Sequence, residues 1–462
     1  MLLSAALLTG LPACEVLNQD PPANFTVDDA FATADRINKS ILGVYNDLQN
    51  AEFLGGRALI YSDIRSGDTD VPSYFGNVGR FQMLSTDGFA QTAWQGGYRT
   101  IFGANSFLQN IALNSGKVSP ALEKQYIAEC KFIRALTMWH LVNLFAQPYN
   151  FTANASHPGI VLQLTAPASA ADAFDVSQRL PRASVGEVYA QMEKDLTEAI
   201  ADLPAVTPAR SIQNVGRATK EAGRALLARV YLYKGDYVKA ADFAGQVITG
   251  NQYALNPSPR DAFYTFTTKE SIFSVAFNST DNPNTNNAIG QHYGPDRRAD
   301  ITVTPYVAST GPLSATDKRR TTLLDVRGAN TFTAKFYAVD NWVPVIRYPE
   351  ILLTRAEALA QTSATPSVEA ITLLNQVRTR STTAVPVTSV ATQAGLIDAI
   401  LEERRLELAF EGFRLYDLLR YKRDIPAHGT VPLVKYNDPR VIFPIPDRDV
   451  QLNPLLKQNT GY

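Results

Sequence analysis

The chain has 462 residues, of which 45% are hydrophobic and 19% charged, and a formal net charge of −1. That composition belongs to a globular protein with ample material for a core and excludes an intrinsically disordered chain. Charges of both signs are spread evenly and no basic block stands out, so no nucleic-acid partner is expected.

Leu2 to Leu11 is a short apolar run, too brief to span a bilayer. It ends in Leu11-Pro12-Ala13-Cys14, which resembles a bacterial lipobox. On that reading residues 1–13 are a signal peptide and Cys14 is the lipidation site. Met1 to Leu11 holds no Lys or Arg, a departure from the usual basic start of such a leader. No other segment has 18 consecutive apolar residues. The second cysteine, Cys130, falls in a helical pattern and reads as a buried, inert thiol. The two cysteines suggest neither a disulfide framework nor a zinc spacing.

Residues 14–25 are polar, contain Pro21-Pro22, and read as a tether. Thr26 is the expected N-cap of the first helix, with Asp28 and Asp29 in its first turn. Apolar residues at helical spacing carry that helix to Leu48. Residues 51–92 are rich in Gly, Asp, Ser and Tyr and are expected to be loops. Helical periodicity returns over Trp94–Ile111, Pro120–Phe145, Ser184–Leu203, Thr219–Tyr233 and Tyr237–Ile248.

The last two segments carry a repeat signature. Ala222, Ala225 and Ala228 precede Gly235-Asp236-Tyr237, and Ala240, Ala241 and Ala244 follow. Small residues at a helix crossing around a Gly-Asp turn suggest a TPR-like hairpin. Tyr126–Phe145 and Tyr348–Arg380 offer similar pairings. From Asn251 to Val345 the chain turns to Pro, Asn, Thr and Gly, with a short strand expected at Ser271–Phe277. So long an irregular stretch in a helical scaffold usually has a function. The expected fold class is therefore mainly α. TPR-like helix pairs form the scaffold, with a loop-rich C-terminal half and a few short strands.

No catalytic signature is present. The four histidines, His140, His157, His292 and His428, make no HExxH, and there is no GxSxG elbow, Walker loop or GxGxxG. Asp63, Asp68 and Asp70 cluster but do not match an EF-hand loop, so metal binding stays undetermined. A glycosidase needs only two carboxylates correctly spaced, and 44 acidic residues leave that open. The strongest local pattern runs from Leu401 to Tyr421. Arg404/Glu407, Glu411/Arg414 and Asp417/Arg420 are i, i+3 neighbours of opposite charge. Ile397, Leu401, Leu408, Leu415 and Leu419 form an apolar stripe, and Gly412 marks an expected kink or helix change. The reading is a structural, ion-paired helix.

That same segment, Glu403-Arg404-Arg405-Leu406-Glu407-Leu408-Ala409-Phe410-Glu411-Gly412 with Arg414, Asp417-Leu418 and Arg420, closely resembles the C-terminal hallmark of SusD/RagB lipoproteins. Phe443-Pro444-Ile445-Pro446, Asn453-Pro454 and Gln458-Asn459 resemble that family's terminal motif. Ile346-Arg347-Tyr348-Pro349-Glu350 with Ala356-Glu357-Ala358 looks like its central helix, and Trp94, Tyr98, Ile101 and Ala104-Asn105 like its early one. The resemblance runs from Cys14 to Tyr462. It implies an N-terminal region over 26–260 and a C-terminal region over 261–462. It also implies a lipid-anchored protein of the bacterial outer membrane that faces the cell exterior. Such a protein captures oligosaccharides and delivers them to a SusC-like TonB-dependent β-barrel transporter. It is a binder and not an enzyme, and it needs no cofactor, though a structural calcium occurs in some members. A peptide-binding member and a surface glycoside hydrolase remain alternatives.

A sugar presents flat C–H faces and many hydroxyls, so its binder needs aromatic platforms ringed by carboxylate, amide and guanidinium groups. By resemblance, Asp63, Arg65, Asp68, Tyr74 and Trp94 are the ligand-binding candidates of the first loop region, and Tyr293 and Trp342 those of the second. The Asp63–Asp70 loop leads that set. Trp94 stands at helical spacing from Tyr98 and Ile101 and also fits a core position. Trp342, beside Asp340 and Asn341, is the better platform.

Overall fold

The computed structural model describes residues 26–169, 171–172, 175–309, 316–382, 386–387 and 390–462. The expected signal peptide, Cys14 and the tether lie outside the described residues. Thr26 caps the first helical turn in a reciprocal capping box with Asp29, but that turn stops at Ala30. Thr33 supplies a second N-cap, and the helix restarts as α1 (Ala34–Leu48). The single helix expected there is thus two.

The other long helices are α2 (Gly88–Leu113), α3 (Pro120–Phe145), α4 (Val185–Asp202), α5 (Lys220–Lys234) and α6 (Tyr237–Thr249). They are followed by α7 (Tyr348–Thr362), α8 (Val368–Ser381), α9 (Gln393–Glu407) and α10 (Arg414–Arg420). Their ends follow capping chemistry. Ser119 caps α3 ahead of Pro120, and Ser184 caps α4 in a box with Glu187. Between α5 and α6 the Gly-Asp turn does both tasks. Gly235 ends one helix at φ 83°, in the left-handed region, and the Asp236 side chain caps the next.

From α1 to α9 the helices pack on their neighbours: α1 on α2, α2 on α3, α3 on α4, α4 on α5, α5 on α6, α6 on α7, and α7 on both α8 and α9. The small residues Ala222, Ala225, Ala228, Ala240 and Ala244 are fully buried in that stack. The scaffold is mainly helical with TPR-like neighbour packing, as the repeat signature predicts. One hydrophobic cluster runs through it from Phe31 to Leu456. Among the described residues two small antiparallel pairs are added: β1 (Ser271–Val275) with β4 (Val343–Arg347), and β2 (Leu324–Arg327) with β3 (Asn330–Thr333). Among the described residues no helix is long and apolar enough to cross a membrane.

A second sequence expectation changes. Residues 51–92 are not all loop: Arg57–Asp63 and Gly76–Gly79 are helical, and α2 begins at Gly88. All seven residues of Arg57–Asp63 are buried, so no polar face exists to give an amphipathic period. The C-terminal segment changes helix at Gly412, as expected, through a turn in which Phe410 and Gly412 take φ values of 63° and 81°. A Cβ on Gly412 would stand 3.2 Å from Leu59 Cα, so both the turn and the packing call for glycine.

The charged residues of that segment are structural and ion-paired, as expected, but most pair across a buried network instead of with i, i+3 neighbours. Among the described residues, Asp417–Arg420 at 2.7 Å is the only one of the three expected i, i+3 pairs to form. Arg404 reaches Asp417 at 3.0 Å. Glu407 meets Arg380 at 2.6 Å and Arg347 at 3.3 Å. Glu411 holds Lys335 at 2.7 Å and takes a forked Arg347 at 2.6 Å on each oxygen. Removing one member of such a buried set strands the others. Glu411→Ala is expected to cost about 3–5 kcal/mol, read as a fall in the urea unfolding midpoint. Asp35→Ala, which breaks an ion pair 71% exposed on both sides, is expected to leave the midpoint unchanged.

Candidate functional site

A cleft of about 570 Å³ opens between the C-terminal half of α1, residues 212–217, and β1 with the segment that follows it. Its size is that of a small-molecule site. Trp342, just ahead of β4, lines one wall. Its indole stacks on Phe266 at 5.3 Å with planes 11° apart, and its Nε1 donates to the Phe277 carbonyl at 2.7 Å. The ring is fixed before any ligand arrives. Gln49, at the end of α1, donates its amide to the Ala276 carbonyl at 2.7 Å and to the Asp281 carboxylate at 3.0 Å. Arg217 forms a fork on the buried Glu129 at 2.7–3.1 Å. Tyr45 accepts the Ala218 amide at 2.9 Å, and burial with the nearby Glu129 pushes its phenol well up. The floor is apolar, with Phe273 and Val275 from β1, and Leu42 and Ile212 stand exposed at the lining. An aromatic wall, an apolar floor and a carboxylate–amide rim suit a ligand with flat apolar faces and many hydroxyls.

A second hollow of about 220 Å³ adjoins the cleft and shares Gln49 and Asp281 with it. Its edge is the asparagine-rich stretch 278–287. Asn278, Asn282 and Asn284 each bend that stretch by accepting backbone amides two residues on, at 2.9–3.0 Å. At the far end of the stretch, Asn287 takes a 2.6 Å bond from Arg57, which also donates to the Tyr74 hydroxyl at 3.1 Å. Tyr74 is 40% exposed, with the Arg298 guanidinium 4.6 Å from its ring. Behind it, His292 bonds Asp300 at 2.8 Å, yet burial holds its imidazole down at about 4, so it is neutral at pH 7.

The other candidate residues do not reach this surface. Asp63 is buried, accepting the Tyr293 hydroxyl and the Gly412 amide at 2.9 Å each. Tyr293, fully buried, is the other half of that bond. Arg65 is buried on the Phe443 ring and donates to the Tyr61 and Val441 carbonyls at 2.8 Å. Asp68 is buried in an ion pair with Arg405. Trp94 packs between Tyr98 and Phe145 at 4.6 and 4.9 Å and is core, as its helical spacing allows. These five are buried, against the expectation of ligand contact: Asp63, Tyr293 and Asp68 are paired inside the fold, Arg65 ties two carbonyls together, and Trp94 packs among rings. The acidic loop also fails to converge on a cation. Among the described residues no group of three or more His, Cys, Asp or Glu is placed to hold a metal ion. Gln49 and Asp281 were not singled out from the sequence. The asparagine-rich stretch, read as Asx turns, was the available signal for Asp281.

The protein is thus a stack of helices carrying an open polar-aromatic cleft. A family model described as the SusD family matches residues 302–462, and one described as starch-binding associating with the outer membrane matches residues 58–232. SusD-like protein P2 of Formosa agariphila is 26% identical over 99% of this chain and 98% of its own, and SusD-like protein P38 of the same organism 25% identical over 98% and 96%. A crystal structure of a SusD superfamily protein from Bacteroides fragilis superposes with a TM-score of 0.83 at 26% identity, covering 93% of this chain and all of that one. The chain belongs to the SusD/RagB family. Proteins of this family are binding proteins, and neither matched model is of a catalytic family.

The Asp63 contact has a pH signature. Burial pushes its carboxyl up to about 8, although both hydrogen bonds favour the charged form. The folded state therefore holds this proton more tightly than the unfolded chain does. Its stabilising contribution is complete below the ordinary 3.8 and is lost as pH rises toward 8. Asp63→Asn is expected to flatten the decline in thermal midpoint between pH 5 and 8, measured by circular dichroism beside the parent chain.

Proposed function

We propose that this protein captures oligosaccharides at the outer surface of a bacterial outer membrane and hands them to a SusC-like, TonB-dependent β-barrel transporter. Cys14 is the proposed lipid attachment site. The observation that carries the ligand class is the cleft wall. Trp342 is held rigid by Phe266 and the Phe277 carbonyl, beside the amide of Gln49 and the carboxylate of Asp281. The starch-binding description of the model matching residues 58–232 supports a glycan, and its outer-membrane association supports the location.

Capture without cleavage fits the same cleft. Asp281 is the one carboxylate among the described residues lining it, whereas glycoside hydrolysis takes a matched pair. Asp47, in the adjoining hollow, is paired with Arg99 at 3.2 Å.

The test is affinity electrophoresis of the full chain through gels holding soluble polysaccharides, with a reducing-end assay alongside. The parent chain should be retarded without releasing reducing ends. Trp342→Ala should weaken retention at least tenfold, about 1.4 kcal/mol. Asp68→Ala, which breaks the buried pair with Arg405, should lower the thermal midpoint and leave retention unchanged. Retention of Trp342→Ala equal to the parent would remove the cleft from the mechanism. Binding to peptides with no polysaccharide retained would move the function to peptide capture.

A further inference from the structure

Three hollows meet along α1. The 570 Å³ cleft and the 220 Å³ hollow share Asn46, Gln49, Phe277 and Asp281. A third hollow, of about 440 Å³, lies between α1 and α2, with Phe102 and Gly103 on its α2 side. It shares Gly43 and Asn46 with the cleft. Those two residues are i, i+3 neighbours on one face of α1. They form a saddle over which the cleft and the third hollow join.

Gly43 is the informative residue. A glycine inside a helix costs stability, so its presence calls for a reason. Close packing is not the reason, because a Cβ at Gly43 would meet nothing within 4 Å. Backbone conformation is not either, since its φ lies outside the left-handed region. The mid-helix glycines Gly96 and Gly97 of α2 differ. A Cβ at Gly96 would stand 3.0 Å from Phe53 Cβ, and one at Gly97 2.6 Å from a Leu141 methyl. What Gly43 does is keep the saddle low, leaving bare helix backbone between two hollows.

The two ends of this furrow are aromatic. Trp342 stands at one, and Phe102, 48% exposed, at the other. Between them lie Asn46, Gln49, Asn282 and the exposed Asp281. Both guanidinium groups that line it are already paired: Arg217 with Glu129 at 2.7 Å, Arg99 with Asp47 at 3.2 Å. A carboxylated or sulfated ligand would find those cations engaged and Asp281 opposing it. A chain of hydroxyls would find acceptors and donors along the whole path.

We propose that the furrow is a single site for an extended, uncharged oligosaccharide laid across α1. One sugar face rests on Trp342, the middle of the chain passes over the Gly43 backbone, and the far end contacts Phe102. This rests on the capture reading above and adds the ligand's length, its charge and a second aromatic contact.

The test uses the full chain in affinity gels holding neutral polysaccharides (soluble starch, xylan, galactomannan, laminarin) or acidic ones (alginate, polygalacturonate, carrageenan). Gly43→Leu raises the saddle at a position open to solvent and should keep or raise the thermal midpoint. On the neutral polymer that retards the parent, it should weaken retention at least tenfold. Phe102→Ala, at an exposed site on the other flank, should weaken it at least threefold. If both variants bind like the parent while Trp342→Ala loses retention, the crossing of α1 is overturned and capture at the cleft stands. Retention on acidic polymers alone would overturn the uncharged class. Retention on none would overturn the capture reading and this inference together.

Discussion

Arg347 sits at the junction on which the rest of the molecule depends. Its guanidinium is forked on Glu411, touches Glu270 ahead of β1, and lies 3.3 Å from Glu407 at the end of α9. Lys335 closes the group through Glu411 and the carbonyls of Glu407 and Ala409. Desolvating so many charges is costly and is tolerated only where each ion finds partners. Burial works to raise the Glu407 carboxyl, but Arg380, Arg347, Arg319 and Lys335 outweigh it and hold it down at about 2. The arrangement therefore ties β1, β4, the start of α7, the end of α9 and the turn after it to one point.

From that point the geometry passes outward through short covalent steps. Glu411 precedes Gly412, whose amide fixes Asp63, and Asp63 in turn fixes the Tyr293 hydroxyl. Arg347 ends the strand that begins one residue after Trp342, and Glu270 precedes the strand that runs toward Phe277. The wall of the cleft is thus an extension of the buried network. Its indole needs no ordering on binding, since Phe266 and the Phe277 carbonyl already hold it. Preorganisation of this kind lowers the entropic cost of binding.

What the sequence made legible, and what it did not, follows from the range of the interactions. Amphipathic helices and their caps are local, so Pro120–Phe145 and the Gly235-Asp236 turn could be read directly. The helix Arg57–Asp63 is buried on every side and carries no period to read. The i, i+3 rule that pairs Glu411 with Arg414 holds on a solvated face. In the core Glu411 instead finds Lys335 and Arg347, 76 and 64 residues away in sequence. For the same reason Asp63, Arg65 and Asp68 look like a ligand loop in one dimension. Polar residue type does not reveal burial, and the partners Gly412, Tyr293, Val441 and Arg405 are remote in sequence.

The separation of these roles bears on how a capture protein must work. The densest set of charged side chains pairs inside the molecule, where each partner is fixed, and the cleft is left with an aromatic wall, amides and the single carboxylate of Asp281. Held ion pairs give rigidity, while an open wall of stacking and hydroxyl-directed bonds allows a ligand to leave as readily as it arrives. Tight binding would defeat delivery, because dissociation slows as affinity rises. On the proposed function, therefore, the buried network of Arg347 and the shallow cleft of Trp342 are two parts of one solution. A scaffold rigid enough to hold the site without ligand lets the site itself bind weakly and still select.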